Sequence, residues 1–215
     1  MRKERKIAEN VRMPLGRYGR KVAKDMNVHH ESLARWGLTF VNIEEDYQIL
    51  DIGCGGGRNI NRFAKFIHDG KVFGIDYSDT SIKVSSELNE EYIDIELVEI
   101  KKGSVSAIPY DDNKFDLVTA FETYYFWPDL KNDLKEVLRV MKEEASFLLV
   151  NELYECENPK KMKNSRKWAR LCNIELHNPD QFEQLLTEAG FSEIRIHENV
   201  EEGWITVVAS KKSNN

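Results

Sequence analysis

The residues with the plainest chemical potential fall in one stretch, Ile49 to Ile60, which reads ILDIGCGGGRNI. An apolar run breaks into closely spaced glycines, and a helical pattern follows. Such a turn lets backbone approach a ligand closely, and its amides and the helix start add hydrogen-bond donors. Gly53, Gly55 and Gly57 alternate along the stretch, with Gly56 between the last two and Asp51 two residues before the first. The dinucleotide fingerprint G-x-G-x-x-G needs a third glycine at 58, where this chain has Arg58. Asp76 ends the next apolar run, KVFGID. A carboxylate there can accept hydrogen bonds from both hydroxyls of a ribose; the plain alternative is a helix-capping or exposed acid. Tyr77 follows, placed to pack against a purine or against the protein itself.

A second group is ETYYFW, Glu122 to Trp127. Its dense aromatics suit a dry pocket beside a cation, although Phe126 and Trp127 also suit plain core cover. Glu122 or Tyr124 can act as a base or orient an acceptor. For Glu122, contact with a cofactor, contact with a substrate and structural bonding all remain open. A third group is N-terminal: LGRYGR from Leu15, then MNVHHESLARWGL from Met26. His29 and His30 can take a proton near neutral pH, and a surface histidine at a helix start is the ordinary outcome. His68, His177 and His197 suggest no role. Cys54 lies in the glycine loop, and Cys156 and Cys172 stand apart with no C-x-x-C pair, so no metal ligands are assigned.

Alternating strands and helices must position these groups. Tyr47 to Ile52, Lys71 to Asp76, Ile95 to Lys101, Phe115 to Phe121 and Ser146 to Asn151 read as strands. Ile60, Phe63, Ala64 and Ile67 share one helical face. Pro128 opens a helix with Leu130, Leu134, Val137, Leu138 and Met141 on one side. A basic helix carries Trp168 and Leu171, and another carries Phe182, Leu185 and Leu186 and ends at Gly190. Phe191 to His197 and Trp204 to Ser210 close as an antiparallel hairpin. Two helices precede the sheet, one with Tyr18, Val22 and Met26, the other with Leu33, Trp36, Gly37, Phe40 and Val41.

In order and spacing, ILDIGCGGGRNI, VFGIDYS, GSVSAIPYDDNKFDLVTA, LKEVLRVMKEEASFLLVNE and EAGF resemble the class I S-adenosylmethionine-dependent methyltransferases, in particular the large subgroup that methylates small molecules. The resemblance runs from Tyr47 to Ser210. With the periodicity, it implies an α/β fold: a single Rossmann-like, doubly wound sheet of about seven strands, mostly parallel, with a C-terminal antiparallel hairpin. Residues 1–46 become a helical lid and 47–215 the cofactor-binding core. It implies S-adenosyl-L-methionine as cofactor and S-adenosyl-L-homocysteine as product. The backbone of Gly53, Cys54 and Gly55 would lie along the methionine part. Asp76 would hold the ribose hydroxyls, Ser104 and Val105 would meet the adenine edge, and Phe121 would lie beside the sulfonium. Asp51, Asn59, Tyr77 and Tyr18 complete the expected cofactor set. Many relatives carry Asp where this chain has Ser104, and a glycine-containing turn where it has Glu143 to Ala145.

The implied reaction is an in-line methyl transfer, in which alignment supplies much of the rate and a base is optional. Glu122, Tyr124, His29 and His30 are the candidates to touch the acceptor. A non-catalytic nucleoside-binding module on the same fold, and a macromolecular acceptor such as RNA or protein, are the alternatives.

The chain has 215 residues with 31 Lys+Arg and 37 Asp+Glu, a net charge of −6, and 41% hydrophobic residues. That suits one folded domain rather than a disordered chain. No apolar run approaches a membrane span, and no signal-peptide core follows MRKERKIAEN. The cytoplasm is therefore the expected compartment, with the protein a monomer or homodimer. Residues 1–24 hold nine Lys/Arg against two Glu, a local +7 that leaves −13 for the remainder. This split suggests that the lid favours an acidic acceptor, while the acidic total disfavours nucleic acid.

Overall fold

Strands buried on both faces read as continuous apolar runs, and the centre of this molecule is built from such runs. The computed structural model describes residues 2–213. Its strands are β1 (Gln48–Ile52), β2 (Lys71–Asp76), β3 (Val98–Lys102), β4 (Phe115–Phe121), β5 (Met141–Asn151), β6 (Phe191–Asn199) and β7 (Trp204–Lys211). They form one sheet in the order β3-β2-β1-β4-β5-β7-β6. β1 to β5 pair in parallel, and β7 pairs antiparallel with both β5 and β6. The order reverses between β1 and β4, so a crevice opens beyond their carboxyl ends, where ligands of such sheets bind.

Side chains alternate between the two faces. On one, Ile49, Leu117, Leu148 and Val208 pack with Ile60 and Phe63 of α4 (Arg58–Ala64) and Leu33 of α3 (Glu31–Leu38). On the other, Leu50, Ile52, Val118 and Ala120 pack with Leu134 and Val137 of α7 (Leu130–Val140) and with Phe182 and Leu186 of α9 (Pro179–Ala189). α3 lies close on the sheet because Gly37 has no side chain: a β-carbon there would sit 2.5 Å from Val150 Cγ2.

Several element boundaries differ from the sequence reading. Among the described residues three helices precede the sheet, not two: α1 (Arg2–Arg12), α2 (Gly16–His29) and α3. Seven of the eleven residues of α1 are charged, and Ile7, Ala8 and Val11 are its apolar residues. α2 packs on α5 (Asp79–Leu88) and α1 on α8 (Pro159–Cys172), so the N-terminal segment bridges both sides of the crevice. Pro128 does not open α7: Asp129 caps it, accepting from Asn132 N–H at 3.3 Å, and the helix begins at Leu130. Met141 is extended and starts β5 instead of ending the helix. Within Glu143 to Ala145, Glu144 adopts a left-handed φ of 62°. A short helix, α6 (Glu90–Asp94), and a left-handed Glu96 delay β3 to Val98. Among the described residues no helix is long and apolar enough to cross a membrane.

Candidate active site

The turn from β1 into α4 carries Gly53, Gly55 and Gly57 at φ of 68°, 52° and 78°, a conformation costly for other residues. A β-carbon on Gly53 would lie 2.4 Å from Thr123 Oγ1, so the loop packs tightly on the end of β4. One on Gly55 would meet nothing nearer than the Gly53 carbonyl at 3.9 Å, because that face opens into a cavity. Asp76 fixes the loop from β2. One of its oxygens accepts Gly55 N–H at 3.0 Å and the other Ser78 N–H at 2.8 Å. Each oxygen keeps a lone pair for a further donor. Burial pushes the Asp76 pKa up, opposed by those two amides.

Asp51 lies deeper, 2% exposed, and accepts the Thr119 hydroxyl at 2.7 Å. Burial pushes its pKa up to about 7. Burial also pushes the Cys54 thiol far up, so the loop cysteine is no nucleophile. Asp51, Gly53, Cys54, Gly55, Asn59, Asp76, Tyr77 and Phe121 all line this first cavity. Three expected members do not. Tyr18 lines a neighbouring cavity, with Lys6 Nζ 4.4 Å from its ring centre. Ser104 and Val105 line neither: the Ser104 hydroxyl oxygen accepts Ser106 N–H at 3.2 Å, and Val105 is core.

The N-terminal helices close the first cavity. The Tyr77 hydroxyl donates to the Arg12 carbonyl, and the Ser78 hydroxyl donates to the Pro14 carbonyl at 2.8 Å. Asn27 Nδ2 donates to the Gly56 carbonyl at 2.9 Å. Glu31 reaches Arg62 at 2.8 Å and Arg58 at 3.2 Å on α4. Burial would raise the Glu31 carboxyl, but its arginine partners hold it at about 2.

The second cavity, of about 730 Å³, lies between α1, α2, α8 and the segment after β4. Val11, Met26, His30, Glu122 and Phe126 line both cavities and mark where they meet. Glu122 is 6% exposed and holds a left-handed φ of 56°, unusual for a non-glycine residue and common at functional positions. Its carboxylate accepts the Tyr125 hydroxyl at 2.6 Å and the Glu152 backbone N–H. Burial, then the nearby Glu152 carboxylate, push its pKa up to about 7. Glu152 faces His29 at 3.5 Å and His30 at 3.7 Å. Burial opposes ionisation of Glu152, yet the two histidines hold it at about 2, and the Glu152 contact raises His29.

Tyr124, expected beside the acceptor, is turned away. It is buried, lines neither of these cavities, and points its hydroxyl at the Leu153 carbonyl, 3.5 Å away. A 3₁₀ turn, Tyr124–Phe126, swings Tyr125 into the cavity instead. Glu152, Tyr125, Asn27 and Trp168 line these cavities and were not among the expected site residues. For Glu152 a signal existed: it follows β5 directly, as Glu122 follows β4, and adjacent parallel strands end at the same crevice. The basic N-terminal segment does not make the second cavity basic, although its Arg12 lines the first. Arg20 pairs with Glu87 at 2.7 Å and Lys167 with Glu4 at 2.6 Å, both on the outside. The second cavity is lined by Asp25, Glu122 and Glu152 against Lys21, which pairs with Asp25. This geometry runs against the expected acidic acceptor.

A family model described as a methyltransferase domain matches residues 43–190. The chain belongs to the class I S-adenosylmethionine-dependent methyltransferase family. Among curated members, an uncharacterized methyltransferase of Bacillus subtilis, YcgJ, is 29% identical over 53% of this chain and 44% of its own length. The chain therefore spans less than half of that relative. A demethylmenaquinone methyltransferase of Staphylococcus saprophyticus is 23% identical over 78% of this chain and 79% of its own. A Haloferax volcanii methyltransferase, solved with the Trm112 methyltransferase activator, superposes with a TM-score of 0.75 at 20% identity. It covers 89% of this chain and 94% of that one, a likeness of fold.

Proposed function

We propose that this chain transfers the sulfonium methyl group of S-adenosyl-L-methionine to a small-molecule acceptor held in the 730 Å³ cavity. The observation that carries this reading is the junction of the two cavities at His30, Glu122 and Phe126. A volume of that size is typical of small-molecule sites, about 300–1,000 Å³.

The residues of the first cavity fit the cofactor. Gly55 presents open backbone, Asp76 keeps lone pairs for a ribose diol, and Phe121, next in sequence to Glu122, lines the same cavity. When bound, the cofactor supplies an activated methyl group and its own leaving group. The rest falls to the protein. The glycine loop and Asp76 fix the cofactor's orientation. The contacts of Tyr77 and Ser78 to the lid, and of the lid's Asn27 to Gly56, exclude water. Glu122, held by Tyr125 and the Glu152 amide, stands with His30 where the acceptor's reacting atom must lie, and orients it by hydrogen bonding. Alignment of this kind is worth about 7–11 kcal/mol in well-ordered systems.

Calorimetry tests the cofactor half. S-adenosyl-L-homocysteine should bind at micromolar concentration and lose about 30-fold or more in Asp76→Ala, since a charge-assisted bidentate contact is worth roughly 2–3 kcal/mol. No binding to the wild type, or full retention in the variant, would overturn the reading. Methyl transfer from labelled cofactor into a metabolite extract, below a size cut-off, tests the acceptor half. Label found only in RNA or protein would remove the small-molecule assignment.

A further inference from the structure

We propose that His29, His30 and Glu152 form a binding site for one first-row divalent cation of the zinc class, set in the wall of the larger cavity. His29 ends α2, His30 caps it, and Glu152 is the first residue past β5. One ligand atom from each lies within 4.8 Å of the others. Nε2 of His29 and Nε2 of His30 stand 3.5 Å and 3.7 Å from the same Glu152 oxygen. Bonds of about 2.0–2.2 Å to such an ion place neighbouring ligand atoms roughly 3.0–3.5 Å apart. Closing on an ion therefore asks for side-chain shifts of about 1 Å or less. Two imidazoles and one carboxylate suit zinc, cobalt, nickel or iron; magnesium and calcium prefer all-oxygen shells.

Two further observations favour an ion over a simple His–Glu contact. Consecutive residues of a continuing helix point about 100° apart, so adjacent histidines do not ordinarily converge. Here His30 leaves the helix, at φ −90° and ψ 10°, and the two rings meet edge to face with centres 5.0 Å apart. The second observation is charge. Glu122 and Glu152 share one wall, and Glu122 accepts the Glu152 N–H. Among the described residues this cavity is lined by a single Lys or Arg side chain, Lys21, already paired with Asp25. One carboxylate and two neutral imidazoles make an anionic ligand set, with the Glu122 carboxyl beside it, and a divalent cation balances it.

Three protein ligands leave positions open, and here they face the cavity beside Tyr125 and Glu122. An acceptor hydroxyl or thiol bound there would be polarised next to the cofactor junction. That role rests on the methyltransferase reading; the binding of the ion does not.

The full chain, freed of metal by chelator dialysis, is titrated with Co²⁺ followed by visible absorption, then with competing Zn²⁺. One Co²⁺ per chain is expected, with ligand-field bands displaced by Zn²⁺. His30→Ala and Glu152→Gln should weaken binding at least about 10–100-fold. His29→Gln, at a largely exposed side chain that leaves the core untouched, should do the same. His68→Gln, on the surface outside the cluster, should bind as the wild type does. S-adenosyl-L-homocysteine calorimetry on the same samples reports an intact core. Absence of saturable Co²⁺ binding by the wild type, or unchanged binding in His29→Gln, overturns the site. Intact Co²⁺ binding without any S-adenosyl-L-homocysteine binding keeps the ion and removes the methyltransferase reading instead.

Discussion

Asp51 is a carboxylate placed where its charge is badly solvated, and its pKa is pushed up to about 7 by that burial. Its unfolded value is about 3.9. The folded state therefore keeps a proton that the unfolded chain releases, and folding is disfavoured progressively as pH rises from about 4 to about 7. Three units set a ceiling of about 4 kcal/mol, and relaxation around the charge reduces it. Asp51→Asn keeps an acceptor for Thr119 without the charge. In urea denaturation without cofactor, the variant should be more stable than the wild type by about 1–2 kcal/mol at pH 8 and nearly equal to it at pH 4.5. An equal difference at both pH values would mean that Asp51 is ionised without penalty. The residue scale also shows what patterns in the chain reveal. That Gly53, Gly55 and Asp76 line one cavity was legible, because glycines that give backbone access and an acid at the end of the next strand converge at the same sheet edge. Tyr125 rather than Tyr124 lines the cavity, because a 3₁₀ turn decides which of two adjacent tyrosines enters it, and three residues carry no periodicity that reports it.

At the scale of elements, β1, β2 and β4 were legible because strands covered on both faces need apolar residues throughout. α1 was not, since it earns its place by packing on α8, a contact invisible to its own composition. The joint between α1 and α2 is held to the loop after β2 by the Tyr77 and Ser78 hydroxyls. These two bonds act as a latch over the first cavity. Each is worth about 1 kcal/mol net, so Tyr77→Phe with Ser78→Ala should speed release of S-adenosyl-L-homocysteine about 5–30-fold. Stopped-flow displacement measures this. Because Ser78 also caps α5, Tyr77→Phe alone serves as the cleaner arm and should give the smaller part of the effect. Unchanged release in both would show that the latch does not gate the site.

At the scale of the whole molecule, the charge count of the N-terminal segment was legible and its destination was not. Arg20 faces Glu87 on α5, and Arg17 is exposed. Exposed pairs of this kind contribute little and are screened by salt. Once an acceptor is known, Arg17→Glu with Arg20→Glu should leave its KM within about twofold. A large rise in KM with unchanged cofactor affinity would restore the idea of a lid that attracts anions.

The position of β7 has a consequence for biosynthesis. This strand lies between β5 and β6, so an interior strand is translated after both of its neighbours. The edge of β5 stays unpaired while residues 152–203 are made. An exposed apolar strand edge is a template for mispairing. A chain stopped after Gly203 should therefore be recovered in the insoluble fraction, while one that includes Trp204–Lys211 is recovered as folded protein. Nascent-chain arrest at successive lengths, scored by protease resistance, should show protection arriving late and in one step.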